Sequence, residues 1–155
     1  MSYASNDEIR GVLIQAGHDR VLVPNATVAE MLAAASVTPV ADTPAWLLGQ
    51  IQWQGWDVPL MSFARHAGLG EEQGVVKNKV VVLKALGGNA KRPYFALVTP
   101  NFPQLISVPR DGLLADASEE ALPPGVHMRV LLGELSALLP DLDALESALD
   151  EALPA

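Results

Sequence analysis

The sequence predicts a mainly β protein of the small-barrel kind. Three observations carry that prediction. Apolar runs of strand length recur along the chain. Turn signals built from 12 glycines and 12 prolines separate them. Sustained helical spacing is confined to the C-terminus. Half of the 155 residues are apolar, ample for a core in one domain or in two small lobes that share one. No internal repeat recurs at a fixed period.

Residues 1–9 read as an N-terminal tail and 10–155 as a single domain. Residues 11–15 (GVLIQ) alternate weakly and read as a strand. Gly17-His18-Asp19 is a turn, and residues 20–23 (RVLV) pair back as a second strand, stopped by Pro24. Residues 28–32 suit either strand or helix; their Ala and Leu content favours helix, and a short strand over 28–31 is the reading adopted. Thr43 suits an N-cap, Pro44 the first helical position and Gly49 a left-handed end, which predicts a short helical turn between them. A tight hairpin around Gln54-Gly55 follows, with arms at 50–53 and 56–63, the second carrying Pro59. On the first arm the strand period puts Ile51 and Trp53 on one face, and Gln50 and Gln52 on the other.

Residues 65–76 are polar and glycine-rich and read as a loop. Residues 79–85 (KVVVLKA) form a strong strand, Gly87-Gly88-Asn89 gives a hairpin signal, and residues 94–98 (YFALV) return. A short strand at 105–108, a loop over 111–125 with acids at Asp116, Glu119 and Glu120, and strands at 127–132 and 135–139 complete the β pattern. Asp141 caps a helix over 142–153, with Leu142, Leu145, Leu149 and Leu153 on one face. A helix starting near Glu134 is the alternative, which Pro140 would interrupt.

Composition narrows the function. No apolar run reaches the ~18 residues a membrane helix needs, which argues against membrane insertion. Residues 1–10 hold Asp7 and Glu8 and no apolar core, which argues against a secretory signal; cytoplasmic residence is the simplest expectation. The chain has no cysteine, which excludes disulfides, Cys-ligated zinc and thiol catalysis. A formal charge of −8 disfavours nucleic acid, which needs a positive stripe. The charge is uneven: Lys77, Lys79, Lys84, Lys91 and Arg92 hold half of the 10 positive charges. The acids concentrate beyond residue 110. Both clusters suit a solvated surface, and a docking face marked by charge is the sharper alternative.

Catalytic signatures are missing. His18, His66 and His127 lie in a turn, a loop and a strand start, without metal-ligand spacing. No Gly-x-Ser-x-Gly elbow occurs. Gly87-Gly88-Asn89 joins two strands and lacks the Lys-Ser or Lys-Thr of a phosphate loop. Glu71-Glu72 and Glu119-Glu120 are adjacent loop acids of the solvated kind. Trp46, Trp53 and Trp56 are all the tryptophan in the chain. Trp53 shares the face of Ile51 and reads as core. Trp56 follows the hairpin turn, where an exposed aromatic serves as a binding hot spot, and is the leading candidate for a partner contact.

A run of motifs falls in a particular order. Thr43-Pro44 precedes a small turn over 46–49 that closes on glycine; Gln52-Trp53-Gln54-Gly55 and Val58-Pro59-Leu60 follow. Residues 79–97 supply a hydrophobic hairpin, Val108-Pro109 a short strand and loop, and residues 138–145 (LLPDLDAL) a closing strand and helix. This order resembles the CheW family, the adaptors that couple chemoreceptors to a histidine kinase in bacterial chemosensory arrays. The likeness spans about residues 10 to 153.

The resemblance implies two intertwined five-stranded SH3-like barrels sharing one core, with a short helical turn and a C-terminal helix. It implies a non-catalytic adaptor with no cofactor. The partners would be the regulatory domain of a CheA-type histidine kinase and the cytoplasmic tip of a chemoreceptor, held between the lobes. Glu30 sits where the family often has an acid. Gln54 replaces the family's usual arginine, which is tied to receptor coupling and can pair with that acid; here the ion pair cannot form. Ser62 and Ala64 replace a typical Asp and Arg, and the loop over 111–125 is short. These departures are similar to the accessory ChpC-type adaptors of systems governing type IV pili and twitching motility. Glu30, Gln54 and Trp56 are the expected partner-binding residues. The alternatives are a structural subunit of a pilus or secretion assembly, or an enzyme whose site gathers dispersed His and acidic residues.

Overall fold

The computed structural model describes residues 8–33, 35–69, 79–87, 92–109, 113–115, 122–132 and 134–153. These form eleven strands and two α-helices in two sheets. The first sheet has the order β8-β1-β2-β11-β10-β9. Its strands are β1 (Glu8–Ala16), β2 (Asp19–Pro24), β8 (Gln104–Pro109), β9 (Leu113–Ala115), β10 (Val126–Leu132) and β11 (Leu135–Pro140). The second has the order β3-β6-β7-β5-β4, from β3 (Val28–Leu32), β4 (Leu47–Trp53), β5 (Trp56–Met61), β6 (Lys79–Lys84) and β7 (Tyr94–Thr99). The chain thus starts in one sheet, builds the whole of the other, and returns. That interleaving follows from where the sequence places its hairpins. Most neighbours pair antiparallel, with two parallel joins, β11 to β2 and β5 to β7.

Burial explains why the central strands read as near-continuous apolar runs. Alternate residues of one strand enter different cores. On β6, Val81 and Leu83 face a large core shared by both sheets, while Val80 and Val82 face the interior of the second sheet alone. On β7, Phe95 and Leu97 face the shared core, and Ala96 and Val98 the interior. The first sheet behaves likewise: Val12, Ile14, Val21 and Val23 face the shared core, and Leu13 and Leu22 a small interior cluster with Val130 and Ala137. Each sheet therefore wraps its own interior and turns its other face to the seam, which fits the expected pair of SH3-like barrels.

Helix α2 (Leu142–Ala152) seals that seam. Asp141 caps it, its carboxylate accepting from the Ala144 N–H at 3.0 Å. Leu145, Leu149 and Leu153 enter the shared core. Glu146 reaches across to the β6–β7 connection and accepts from the backbone N–H groups of Leu86, at 3.1 Å, and Gly87, at 2.8 Å. Arg92 donates to Asp150 at 2.7 Å one turn further on. A helix that follows the first sheet in sequence is thereby tied to the second.

Four expectations need correction. The turn expected over 43–49 is only one hydrogen-bonded turn, the Leu47 N–H donating to the Pro44 carbonyl at 3.0 Å, and it does not continue to Gly49. The Thr43 hydroxyl turns back to donate to the Val40 carbonyl at 2.9 Å, and β4 already begins at Leu47, paired with Met61. Gly49 lies inside that strand at φ 146°, where a Cβ would stand 2.3 Å from the Thr38 carbonyl oxygen. Its role is close backbone approach, because Thr38 exchanges hydrogen bonds with Gln50 there. Second, the arm over 56–63 stops at Met61, and Phe63 opens helix α1 (Phe63–Ala67), which runs into the loop expected from residue 65. Ser62 caps it through Arg65 N, and Gly68 ends it in the left-handed conformation. Third, β9 adds a sixth strand to the first sheet within the expected 111–125 loop. Fourth, β1 starts at Glu8, inside the expected tail, paired with Pro109. Among the sites named from sequence, Glu71-Glu72, Lys77, Gly88-Asn89, Lys91, Asp116 and Glu119-Glu120 lie outside the described residues.

Candidate partner-binding surface

The β4–β5 hairpin is built for a two-residue turn. Trp53 and Trp56 are opposite partners, and Gln54 and Gly55 alone connect them. Both take positive φ, 50° and 81°, the backbone of a type I′ turn, whose twist matches the strands it joins. Glycine adopts that conformation freely. Gln54 takes it at some cost and leaves its side chain exposed at the apex. One face of the arms carries a Gln52–Asp57 side-chain hydrogen bond across the strands.

The other face is aromatic. Trp53 is half-buried and meets Tyr94 edge to face, with ring centroids 4.8 Å apart. Trp56 leans over the same Tyr94 at 6.3 Å and is 40 % exposed. Tyr94 arrives because β5 and β7 pair in parallel, Leu60 against Ala96. The three rings form a ledge with an anchored base and an open top. Such a surface suits a partner: large apolar area, little side-chain entropy left to lose, and a polar rim. Among the described residues the buried Trp53 Nε1 has no hydrogen-bond partner.

One expected residue remains. Glu30 is exposed on β3, and three strands separate β3 from β4 in the sheet order. The structure gathers Trp56 with Trp53 and Tyr94. Trp53 is both core and ledge, packing against the Ile51 cluster. Tyr94 was missed as a site residue, since nothing local in the sequence foretells a parallel β5–β7 join.

The histidines do not converge. His18 and His127 are exposed. His66 on α1 packs edge to face against Trp46, with centroids 4.8 Å apart, and its buried Nδ1 has no hydrogen-bond partner among the described residues. Burial pushes its pKa down from the usual 6.5. Among the described residues no group of three His, Cys, Asp or Glu could hold a metal ion. No described helix is long and apolar enough to cross a membrane.

Comparison with known proteins agrees with this architecture. The solved scaffolding protein TtCheW from Thermoanaerobacter tengcongensis superposes with a TM-score of 0.71 at 13% identity, over 86% of this chain and 88% of that one. No curated protein matches the sequence. The molecule is a β scaffold with two sheets about a common seam. A family model, the CheW-like domain, matches residues 10–149, and the chain belongs to that family. Its members are non-catalytic scaffolds, and this chain is a scaffold or adaptor of the chemosensory kind rather than an enzyme.

Proposed function

We propose that this chain couples chemoreceptors to a CheA-type histidine kinase in the bacterial cytoplasm, as an accessory adaptor of the ChpC type in a system that controls type IV pilus twitching motility. The observation that carries the reading is the exposed Trp56, backed by Trp53 and Tyr94, on a CheW-like fold. In this reading the ledge docks the kinase's regulatory domain, and Trp56 is the anchor. Apolar packing supplies affinity, and the rim charges choose the partner. Micromolar affinity, about 8 kcal/mol, suffices where many copies are arrayed.

Gln54 and Glu30 belong to the receptor side of the proposal. With Gln54 in place of the family's arginine, receptor affinity is expected to be weak and kinase affinity retained. Replacing it, Gln54→Arg, should raise affinity for a receptor's cytoplasmic tip by up to about tenfold, the scale of one charge-assisted hydrogen bond. An unchanged receptor titration would remove Gln54 from the site.

Calorimetric titration with the regulatory domain of a CheA-type kinase from the same genome tests the whole reading. Saturable one-to-one binding supports it. No heat up to about millimolar, some 4 kcal/mol, removes the kinase and leaves a structural role as the leading alternative.

A further inference from the structure

Among the described residues nothing pairs with the outer edge of β8 in the first sheet; β8 pairs only with β1 and stands first in the sheet order. Its pairing is regular over six positions, from Glu8 against Pro109 to Leu13 against Gln104. The other edges are less accommodating. β9 is three residues long, β3 is bulged and carries Glu30, and Thr38 pairs with Gln50 beside β4. On β8, Leu105 is 69% exposed, and Phe102 just before it is 54% exposed. Open edges with exposed apolar residues invite another strand, and proteins usually blunt them.

Charge identifies what would fit. In a chain of net charge −8, the described cations are mostly engaged. Arg92 holds Asp150, Arg65 donates to the Ala45 carbonyl, Lys84 to the Ala26 carbonyl, and Lys79 sits over the Phe102 ring. Arg10 and Arg20 are exposed and have no such partner among the described residues, and each lines a concavity beside β8. Arg20 shares a cavity of about 210 Å³ with Gln15, Asn101 and Phe102. The Gln15 amide is fixed there, accepting from Asn101 and donating to the Gly17 carbonyl. Arg10 shares one of about 230 Å³ with Leu105 and Ser107. The pairing puts the two arginines on opposite faces of the sheet. Arg10 is level with the small Ser107, on the face of Val12; Arg20 is level with Gln15, on the face of Leu13.

We propose that the β8 edge takes an extended acidic segment of a partner protein as an added strand, whose carboxylates meet Arg10 on one face and Arg20 on the other. Main-chain pairing supplies the affinity and the two cavities read the side chains. A strand presents alternate residues to opposite faces. Extending the register from Ser107 to the level of Gln15 separates the two acids by roughly five positions, with β-branched residues between them over Leu105 and Ile106. This surface is separate from the aromatic ledge, and the inference does not depend on the kinase reading.

The probe is a capped peptide of sequence Gly-Glu-Val-Ile-Val-Thr-Glu-Gly carrying a fluorophore, titrated against the whole chain by anisotropy. Saturable binding is expected. It should weaken about fivefold or more in Arg10→Gln and in Arg20→Gln, and again as salt rises from ~0.05 to ~0.3 M. It should also weaken when both peptide glutamates are glutamine. The substituted arginines are exposed, so the fold should survive, and circular dichroism checks it. Absence of saturation up to about millimolar, or binding by both arginine variants as tight as the wild type's, overturns the proposal. So does sedimentation of the free chain as a dimer that Leu105→Lys dissociates, because a second copy would then be the occupant.

Discussion

The seam and the hairpin tip use similar residues to opposite ends. At the seam, Phe95, Leu97, Leu145 and Leu149 are wholly buried, and the polar groups above them, Glu146, Arg92 and Asp150, are tied to one another's elements. At the tip, Trp53, Trp56 and Tyr94 touch one another and leave one ring open. Among the described residues the shared core gathers 19 buried residues, against 7 and 4 in the two sheet interiors. Most of the described core thus lies where the two sheets meet. Folding free energy is therefore concentrated at the seam, and the tip is free to serve recognition.

The seam should show the largest stability effect. Phe95→Ala removes a ring 1% exposed between the sheets and should cost about 3–5 kcal/mol. Both sheets should lose structure in one transition. Tryptophan fluorescence reports the second sheet, since all three tryptophans lie in or beside it, and hydrogen exchange on β1 and β2 reports the first. Two separate transitions would break the claim of a common core. Glu146→Ala leaves the Leu86 and Gly87 N–H groups without their carboxylate and should cost about 1–2 kcal/mol by urea unfolding. A change within error would mean that α2 is held by its leucines alone.

His66 gives a smaller, pH-dependent effect. Burial lowers its folded pKa below the usual 6.5, so the unfolded chain binds the proton more readily. Its contribution to stability is full above pH 6.5 and shrinks as the pH falls toward the folded value. The urea midpoint of the wild type should therefore fall more steeply between pH 7 and 5 than that of His66→Phe. Parallel profiles would show that the ring stays solvated.

Much of this fold was legible because its signals are local. The Gln54-Gly55 turn, the β6 and β7 runs, and the Asp141 cap with its leucine stripe each declare themselves within a dozen residues. Thr43-Pro44 misled because a helix N-terminus and a single hydrogen-bonded turn share those residues; the pairing of Leu47 with Met61 decides between them, and it is not local. The signal for α1 was present, with Ser62 ahead of it and Gly68 behind, yet the apolar run through Phe63 read as more strand. β9 needs β10 beside it to exist as a strand. Of the candidate site, Trp56 was readable from its place after the turn. Tyr94 was not, because a parallel join brings it there.

The hairpin tip carries the smallest stability effect and the largest functional one, so Trp56→Ala tests the contrast most directly. Its unfolding free energy and its titration with the kinase regulatory domain should be measured on the same preparation. The account predicts a loss of stability within about 1 kcal/mol, since the ring is already 40% exposed, together with a loss of binding of at least about 2 kcal/mol. A variant that is destabilised by more than that and binds the kinase domain unchanged would make Trp56 a structural residue and contradict the account.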